Sequence, residues 1–258
     1  MRVFKVALWV FLATALASGG GLFYFRHIGE EFVASVLKPV FAWSLALASA
    51  VAAWRAASSA RRTFLALAGA YLVYGAGDIV MGWGVDYTMH GMATFLVGHL
   101  LYTRALFLST GIATEKLVPA AGSARQRQWL AVLSSLAMEA IAATVSYIFY
   151  ARSGLGVMAV AGLTYGQCFV ADAAVASKTL RRGVQLAGAL GGTALFLISD
   201  CTISIRRMVV SQPWMRPFIM ATYYAALLGY FVAFLPAMFN SMCNLPSKPK
   251  LAKKVKSK

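Results

Sequence analysis

Eight long apolar segments limit what this chain can fold into more than any other feature of its sequence. A helix needs about 20 mostly apolar residues to cross a membrane. Such runs occupy residues 5–25, 38–55, 62–83, 91–110, 128–149, 155–177, 184–205 and 215–238. Because only short loops and a basic C-terminal segment remain, the sequence predicts an all-α fold: a polytopic transmembrane helix bundle with eight spans. Any chemistry would then take place inside the bundle or at its mouth.

Composition excludes several other classes of protein. Of the 258 residues, 60% are hydrophobic and 12% charged, whereas a soluble domain has about 45–50% apolar and about 25% charged residues. A soluble globular enzyme, a disordered chain and a disulfide-rich scaffold are therefore excluded. Cys168, Cys201 and Cys243 form no CxxC pair, so neither a zinc ribbon nor a disulfide framework is expected. The net charge of +16 favours anionic membrane lipids, rather than nucleic acid, as partners.

The first apolar run allows two interpretations. Arg2 and Lys5 precede an apolar stretch that ends in Ala-Leu-Ala-Ser at residues 15–18, a pattern that is also typical of a cleavable signal peptide. Because the run continues as far as Phe25, we favour a helix that is retained.

The distribution of basic residues predicts the orientation of the chain. Seventeen of the 24 lysines and arginines lie on the side of the N-terminus, and one, Arg104, lies within a span. Cytosolic loops carry the excess of Lys and Arg, so both termini are expected in the cytosol. The opposite side carries only six basic residues: Arg26, Lys38, Arg152, Arg206, Arg207 and Arg216.

The C-terminal segment is distinct from the rest of the chain. We expect residues 1–246 to form the transmembrane domain and residues 247–258 to form a basic, disordered cytosolic tail that is held near anionic lipid. A plain positive-inside anchor is the favoured interpretation of this tail. A retrieval signal is the alternative, and we expect the endoplasmic reticulum or another endomembrane as the location.

A few polar residues lie inside the spans, where they are costly and mark candidate functional sites. Counting along the helices places several of them at a similar depth, in the non-cytosolic half. These are Lys38, Asp78, His99, Asp200, Tyr223 and Tyr224. Glu139 and Asp172 lie at mid-membrane or in the cytosolic half by the same count, and a structural role is favoured for them.

Asp78 and Asp200 are the candidate catalytic pair. Two carboxyls that face one apolar cavity tend to hold one proton between them, which gives an acid and a base near neutral pH. Such a pair suits proton-transfer catalysis. The alternative is that each aspartate pairs with a lysine, a tyrosine or a backbone group and only fixes helix packing.

Other motifs carry less functional information. Gly162-xxx-Gly166 and Gly188-xxx-Gly192 predict close helix contacts. Ser199 precedes Asp200, but the chain has no Gly-x-Ser-x-Gly elbow of a serine hydrolase. The three histidines have no spacing typical of metal ligands, so no metal is expected.

Five motifs, in order along the chain, resemble those of the YhhN/TMEM86 family, the lysoplasmalogenases. The first two are Lys38-Pro39 and Gly77-Asp78. The third is a Phe…Gly-His…Tyr run that ends at His99 and Tyr102. The other two are Gly188-Ala189…Leu195-Phe196…Ser199-Asp200 and Tyr223-Tyr224. The resemblance extends over nearly the whole chain.

This resemblance implies an activity. The family hydrolyses the vinyl ether bond of lysoplasmalogen, a lysophospholipid, to a fatty aldehyde and a glycerophospho-base such as glycerophosphoethanolamine or glycerophosphocholine. Asp78 and Asp200 would be the catalytic acid and base, with the assignment between them open, and no cofactor is required. The substrate would be bound by Lys38 at its phosphate and by His99, Tyr102, Ser199, Tyr223 and Tyr224.

Two other functions remain open on the sequence. Intramembrane carboxylates also serve as proton or ligand sites in membrane transporters and receptors that are not enzymes. A metal-dependent lipid hydrolase is the third possibility. The oligomeric state is not indicated by the sequence.

Overall fold

The computed structural model describes residues 2–83, 87–109, 123–153, 156–180, 183–208 and 210–243. Within these ranges the chain forms eight α-helices and no strand, so the all-α prediction is confirmed. Each predicted apolar run coincides with one helix to within a few residues at most ends. The helices are α1 (Arg2–His27), α2 (Glu31–Arg55), α3 (Ser58–Gly82), α4 (Thr88–Ser109), α5 (Ala124–Ser153), α6 (Gly156–Thr179), α7 (Gly183–Met208) and α8 (Met215–Cys243). The predicted tail, 247–258, lies outside the described residues.

Six of the helices, α1 to α4, α7 and α8, are long and apolar enough to cross a membrane. In α5 the corresponding apolar stretch is shorter, Val132–Ile148. The chain is therefore a polytopic membrane protein. That α5 and α6 also cross, and that both termini face the cytosol, remain predictions.

Neighbouring helices pack in sequence order and then close into a bundle. α1 packs on α2, α2 on α3 and α3 on α4, while α5 pairs with α6 and α7 with α8. α6 joins these groups by contacting both α4 and α7, and α8 contacts α2. Short connections make α1, α2 and α3 alternate in direction, so the end of α1, the start of α2 and the end of α3 lie at one end of the bundle.

Glycines lie where two pairs of helices approach most closely. A Cβ atom on Gly166 would lie 2.5 Å from the Ala142 Cβ of α5, and one on Gly188 would lie 2.8 Å from the Gly229 carbonyl oxygen of α8. No side chain fits at these distances, so the predicted small-residue contacts are confirmed for both glycine pairs.

Aromatic side chains fill the centre of the bundle. Tyr74 of α3, Tyr102 of α4, Phe196 of α7 and Tyr230 of α8 are fully buried. Tyr102 stacks on Tyr230 with ring centroids 3.9 Å apart, and Phe196 contacts both Tyr74 and Tyr230. This aromatic core holds α3, α4, α7 and α8 together and separates the polar groups described below.

Candidate active site

A cluster of polar side chains from α2, α3 and α8 surrounds Asp78. The Lys38 ammonium lies 2.9 Å from Asp78 Oδ1, and the Tyr223 hydroxyl donates a hydrogen bond of 2.9 Å to Asp78 Oδ2. The Tyr224 hydroxyl donates to the Lys38 carbonyl oxygen at 3.5 Å. The structure therefore brings together four of the predicted site residues, from segments that are far apart in sequence.

The residues beside Asp78 explain how the helices can approach so closely. A Cβ atom on Gly77 would lie 2.8 Å from the Phe95 ring of α4, so this position has no room for a side chain. The Phe95 ring in turn contacts Tyr223, with centroids 6.1 Å apart. The Gly-Asp motif thus combines a close helix contact with the carboxyl that follows it.

Asp200 has a different partner. The Tyr165 hydroxyl of α6 donates a hydrogen bond of 2.6 Å to Asp200 Oδ2. Both residues line a cavity of about 60 Å³ that is bounded by α3 to α7 and is otherwise mostly apolar. A space of this size holds one or a few water molecules.

In the described part of the chain, Asp78 and Asp200 line two different cavities, and their action as one catalytic pair stays a prediction. Asp78 opens into a larger cavity of about 890 Å³, and among the described residues Met81 and Ile203 contribute to the walls of both cavities. Counting residues gives a depth along a helix but not the direction in which a side chain points, so the sequence does not specify which cavity each carboxyl lines.

His99 belongs to a separate, buried polar group. Its Nδ1 is 2.7 Å from Asp172 Oδ2, and the Thr103 hydroxyl donates to the other carboxylate oxygen of Asp172. Both members of the pair are inaccessible to solvent. The His99 ring is packed edge-on against Phe169 and Phe196, with both centroid distances at 4.6 Å.

Two further predicted residues have packing contacts. Ser199 donates a hydrogen bond of 3.1 Å to the Ile219 carbonyl oxygen and so ties α7 to α8. Tyr102 is fully buried in the aromatic core. His99, Tyr102 and Ser199 are absent from the linings of both aspartate cavities.

Sequence reasoning missed several members of these groups. Tyr165 of the sixth span, which bonds to Asp200, was not among the predicted site residues. Asp172 was placed by depth in a different layer from His99, yet the two are in contact. The signal available in the sequence was a polar residue within the apolar run of α6, which could pair with a buried histidine. Glu139 accepts a hydrogen bond of 2.8 Å from Gln167 Nε2, which agrees with the structural role favoured for it.

The larger cavity has a strongly basic lining. Among the described residues, Lys38 and four arginines line it: Arg26, Arg206, Arg207 and Arg216. Asp78 is the one acidic residue in this described lining. Arg207 donates a hydrogen bond to the Thr88 hydroxyl. We call this cavity, lined by Arg26, Lys38, Asp78, Arg206, Arg207 and Arg216, the cationic vestibule.

The fold and the site define a class of protein: a polytopic membrane protein with buried, partnered carboxyls beside a basic cavity. The YhhN family model matches residues 33–233, and the chain belongs to this family. Lysoplasmalogenase TMEM86A of Bos taurus is 29% identical over 211 residues, covering 76% of this chain and 75% of the relative. Lysoplasmalogenase TMEM86A of Homo sapiens is 29% identical over 201 residues, with the same coverage of 76% and 75%. No solved structure matches the chain.

Proposed function

We propose that this protein is a membrane hydrolase that cleaves the vinyl ether bond of a lysoplasmalogen. The products are a fatty aldehyde and a glycerophospho-base such as glycerophosphoethanolamine or glycerophosphocholine. The main support is the position of Asp78, which Lys38 and Tyr223 hold at the wall of a basic cavity. A second carboxyl, Asp200, lines a neighbouring cavity that shares Met81 and Ile203 with the first. The distant relatives that carry the name lysoplasmalogenase add to this support.

The reaction needs an acid and a water molecule. A carboxylic acid transfers its proton to the outer alkene carbon, and the double-bond electrons form the new C–H bond. This leaves an oxocarbenium ion at the carbon attached to oxygen. Water adds to that carbon, loses a proton to a carboxylate and forms a hemiacetal. The hemiacetal collapses to the aldehyde and the free glycerol hydroxyl, so one water is consumed for each ether bond cleaved.

The contacts of the two aspartates suggest how the roles are divided. Asp78 is ion-paired with Lys38, which favours the carboxylate form, so we assign it to stabilise the cation and to accept the proton of water. Asp200 lies in mostly apolar surroundings, which favour the acid form of a carboxyl. Its Oδ2 accepts a hydrogen bond from the neutral Tyr165 hydroxyl. We assign Asp200 to donate the proton.

The side chains of Met81 and Ile203 must move before one substrate can reach both carboxyls. Met81 lies at the wall between the two cavities and has a flexible side chain that changes rotamer readily. We assign to it the opening through which the alkenyl group passes from the cationic vestibule toward Asp200. The apolar lining of the smaller cavity would then contact the first carbons of the chain.

The remaining predicted residues receive supporting roles. Lys38 binds the phosphate while it holds Asp78, and Tyr223 orients the carboxylate. Tyr224 fixes the backbone at Lys38. His99, Tyr102 and Ser199 act as positioning residues, because they order the helices that carry the two acids. We assign these roles without a metal or an organic cofactor.

We also propose the membrane arrangement. Residues 1–246 form eight spans with both termini in the cytosol of an endomembrane such as the endoplasmic reticulum, and residues 247–258 form the cytosolic tail. In sealed microsomes from cells that express cysteine-free protein, a membrane-impermeant maleimide should label Arg61→Cys and leave Ser211→Cys unlabelled until the membrane is permeabilised. Both positions are exposed. The opposite pattern would reverse the orientation.

The activity is tested with purified protein and a matched pair of lipids. A lysoplasmalogen should release fatty aldehyde, while the saturated alkyl-ether lysolipid with the same headgroup should stay intact, because it has no alkene carbon to protonate. In D2O the aldehyde should carry one deuterium on the carbon next to its carbonyl group. Equal stability of both lipids would contradict the proposal and would favour a transporter or receptor.

A further inference from the structure

The smaller cavity, whose wall carries Asp200, is too small for a whole lipid chain. Its volume of about 60 Å³ is room for one or a few water molecules, so only the first carbons of an alkenyl chain fit inside it. The rest of the chain must continue past the cavity walls, and leaving that hydrocarbon in water is strongly unfavourable. The helix interfaces around the cavity therefore decide which way a bound chain runs.

Two of these helix interfaces are closed by tight packing. Between α3 and α4, a Cβ atom on Gly77 would lie 2.8 Å from the Phe95 ring, and between α5 and α6, one on Gly166 would lie 2.5 Å from the Ala142 Cβ. Phe95, Ala142 and Gly166 all line the cavity and all are buried. Because protein interiors that are packed at such distances leave no space for further atoms, a chain cannot leave through either interface.

The interface between α4 and α6 is joined through His99. Its Nδ1 lies 2.7 Å from Asp172 Oδ2, the Thr103 hydroxyl donates to the same carboxylate, and the His99 ring packs against Phe169. These four residues lie in the middle or the second half of their helices. They fix the two helices to each other on the side of the aromatic core.

Nearer the N-terminal ends of α4 and α6, the same interface borders the smaller cavity. Met92 of α4 and Gly162 of α6 line it, and both are partly exposed, unlike the lining residues at the two closed interfaces. Methionine has a flexible side chain that adapts to its neighbours. We call this part of the α4–α6 interface, flanked by Met92 and Gly162, the chain portal.

We infer that the alkenyl chain of the lysolipid leaves the bundle through the chain portal and continues into the hydrocarbon of the membrane. The inference rests on the proposed function, because Asp200 in the smaller cavity is the acid that the vinyl ether must reach. The headgroup then lies in the cationic vestibule, the first carbons pass Met81 and Asp200, and the remaining carbons run between α4 and α6. The substrate can bind in this way while most of its chain stays in an apolar environment.

Met92 is then a specificity-determining residue for the chain. A long chain has to pass Met92 on its way to the membrane, whereas the chain of a propenyl ether ends inside the smaller cavity. A larger side chain at position 92 should therefore hinder long-chain substrates and spare the shortest ones. The length of a chain beyond the portal should have little effect, because those carbons contact lipid and not protein.

Photolabelling of the unsubstituted protein tests the path of the chain. A saturated alkyl-ether lysolipid with a diazirine halfway along its chain would be irradiated with the protein in lipid nanodiscs, and the labelled residues would be identified by mass spectrometry. We expect labelling at Met92, Gly162 and their neighbours on α4 and α6, and we expect an excess of unlabelled lysolipid to abolish it. Competed labelling confined to other helices would overturn the inference, as would portal labelling that the unlabelled lipid does not reduce.

Met92→Trp tests the specificity. We expect kcat/KM for a hexadecenyl ether to fall about tenfold relative to that for the propenyl ether, a size of effect that is usual for steric changes in an apolar pocket. Val97→Trp is the matched control, because Val97 is exposed on the same helix and lines neither aspartate cavity. Its ratio should stay within about twofold of that of the unsubstituted protein. Equal losses for both ethers in Met92→Trp, or the same change in Val97→Trp, would contradict the portal.

Folding and activity can be separated from the path of the chain. Thermal unfolding of each variant shows whether it is folded, and Met92→Phe repeats the comparison with a smaller ring if Met92→Trp does not fold. Photolabelling does not depend on ether cleavage. Competed labelling at the portal without aldehyde release would retract the hydrolase proposal alone, and aldehyde release with competed labelling elsewhere would retract the portal alone.

Discussion

Replacing Asp78 or Asp200 by asparagine is expected to lower kcat for vinyl ether cleavage about 1,000-fold, within the range that proton-transfer catalysis contributes. Asparagine keeps the shape of the side chain and a carbonyl oxygen for the tyrosine hydroxyl, so Asp78→Asn retains the bond from Tyr223 and Asp200→Asn the bond from Tyr165. What each variant loses is the ability to give or accept a proton. The rate of aldehyde release, measured at saturating lysoplasmalogen, gives the effect directly.

Glu139→Gln is the matched control for both variants. Glu139 is also a carboxyl on a helix of the bundle, but its partner is Gln167 on α6 and it lines neither aspartate cavity. We expect its kcat to stay within about twofold of the unsubstituted protein, as for surface changes away from a site. Full activity in both Asp78→Asn and Asp200→Asn would remove these residues from the mechanism. Loss in only one would leave a single carboxyl as the catalytic residue.

Replacing Asp172 by alanine should lower the free energy of unfolding by about 3 kcal/mol or more. The change leaves His99 Nδ1 and the Thr103 hydroxyl without the carboxylate that bonds both of them, in surroundings made of Phe169 and Phe196. Water does not reach this pair. Chemical unfolding in detergent micelles, followed by circular dichroism, measures the loss.

A double variant separates the cost of an unpaired group from the value of the pair. His99→Phe combined with Asp172→Leu replaces both partners by apolar side chains and should recover part of the stability lost in Asp172→Ala. Asp172→Asn should cost less than Asp172→Ala, because its side-chain oxygen can still accept from His99. A loss below about 1 kcal/mol in Asp172→Ala would contradict a tightly paired, dry group.

The double variant also tests the predicted contact of His99 with substrate. As a positioning residue, His99 should affect kcat through the helices that carry the acids and leave KM for lysoplasmalogen largely unchanged. A large rise in KM in a folded, stable double variant would place His99 in contact with the lipid. A purely structural role would change neither kcat nor KM of a folded, stable variant, so measuring the two constants separately distinguishes the roles.

Some of the site could be predicted from the sequence because depth in a membrane is a property of position along a helix. Lys38, Asp78 and Tyr223 lie on three different helices, and counting residues placed them in one layer, where they are found in contact. The same count failed for Asp172, which it placed in a different layer from His99. Helices of unequal length and entry point shift such counts by a turn or more.

Rotation about the helix axis is the information that the sequence lacks. Asp78 and Asp200 were placed at equal depth, but their side chains open into different cavities. The vestibule arginines were counted only as charges on one side of the membrane. Their convergence depends on which ends of α1, α7 and α8 meet, and the sequence pattern does not specify those contacts.

A structure of the protein with a saturated alkyl-ether lysolipid bound tests the central claim most directly. We expect the phosphate in the cationic vestibule, the Met81 side chain displaced, and the first two carbons of the ether chain within about 4 Å of a carboxyl oxygen of each aspartate, the contact that proton transfer requires. The two-carboxyl mechanism would be contradicted if the ether oxygen and first carbons of the lipid stayed on the vestibule side of an unmoved Met81. Asp200 would then have no contact with the lipid.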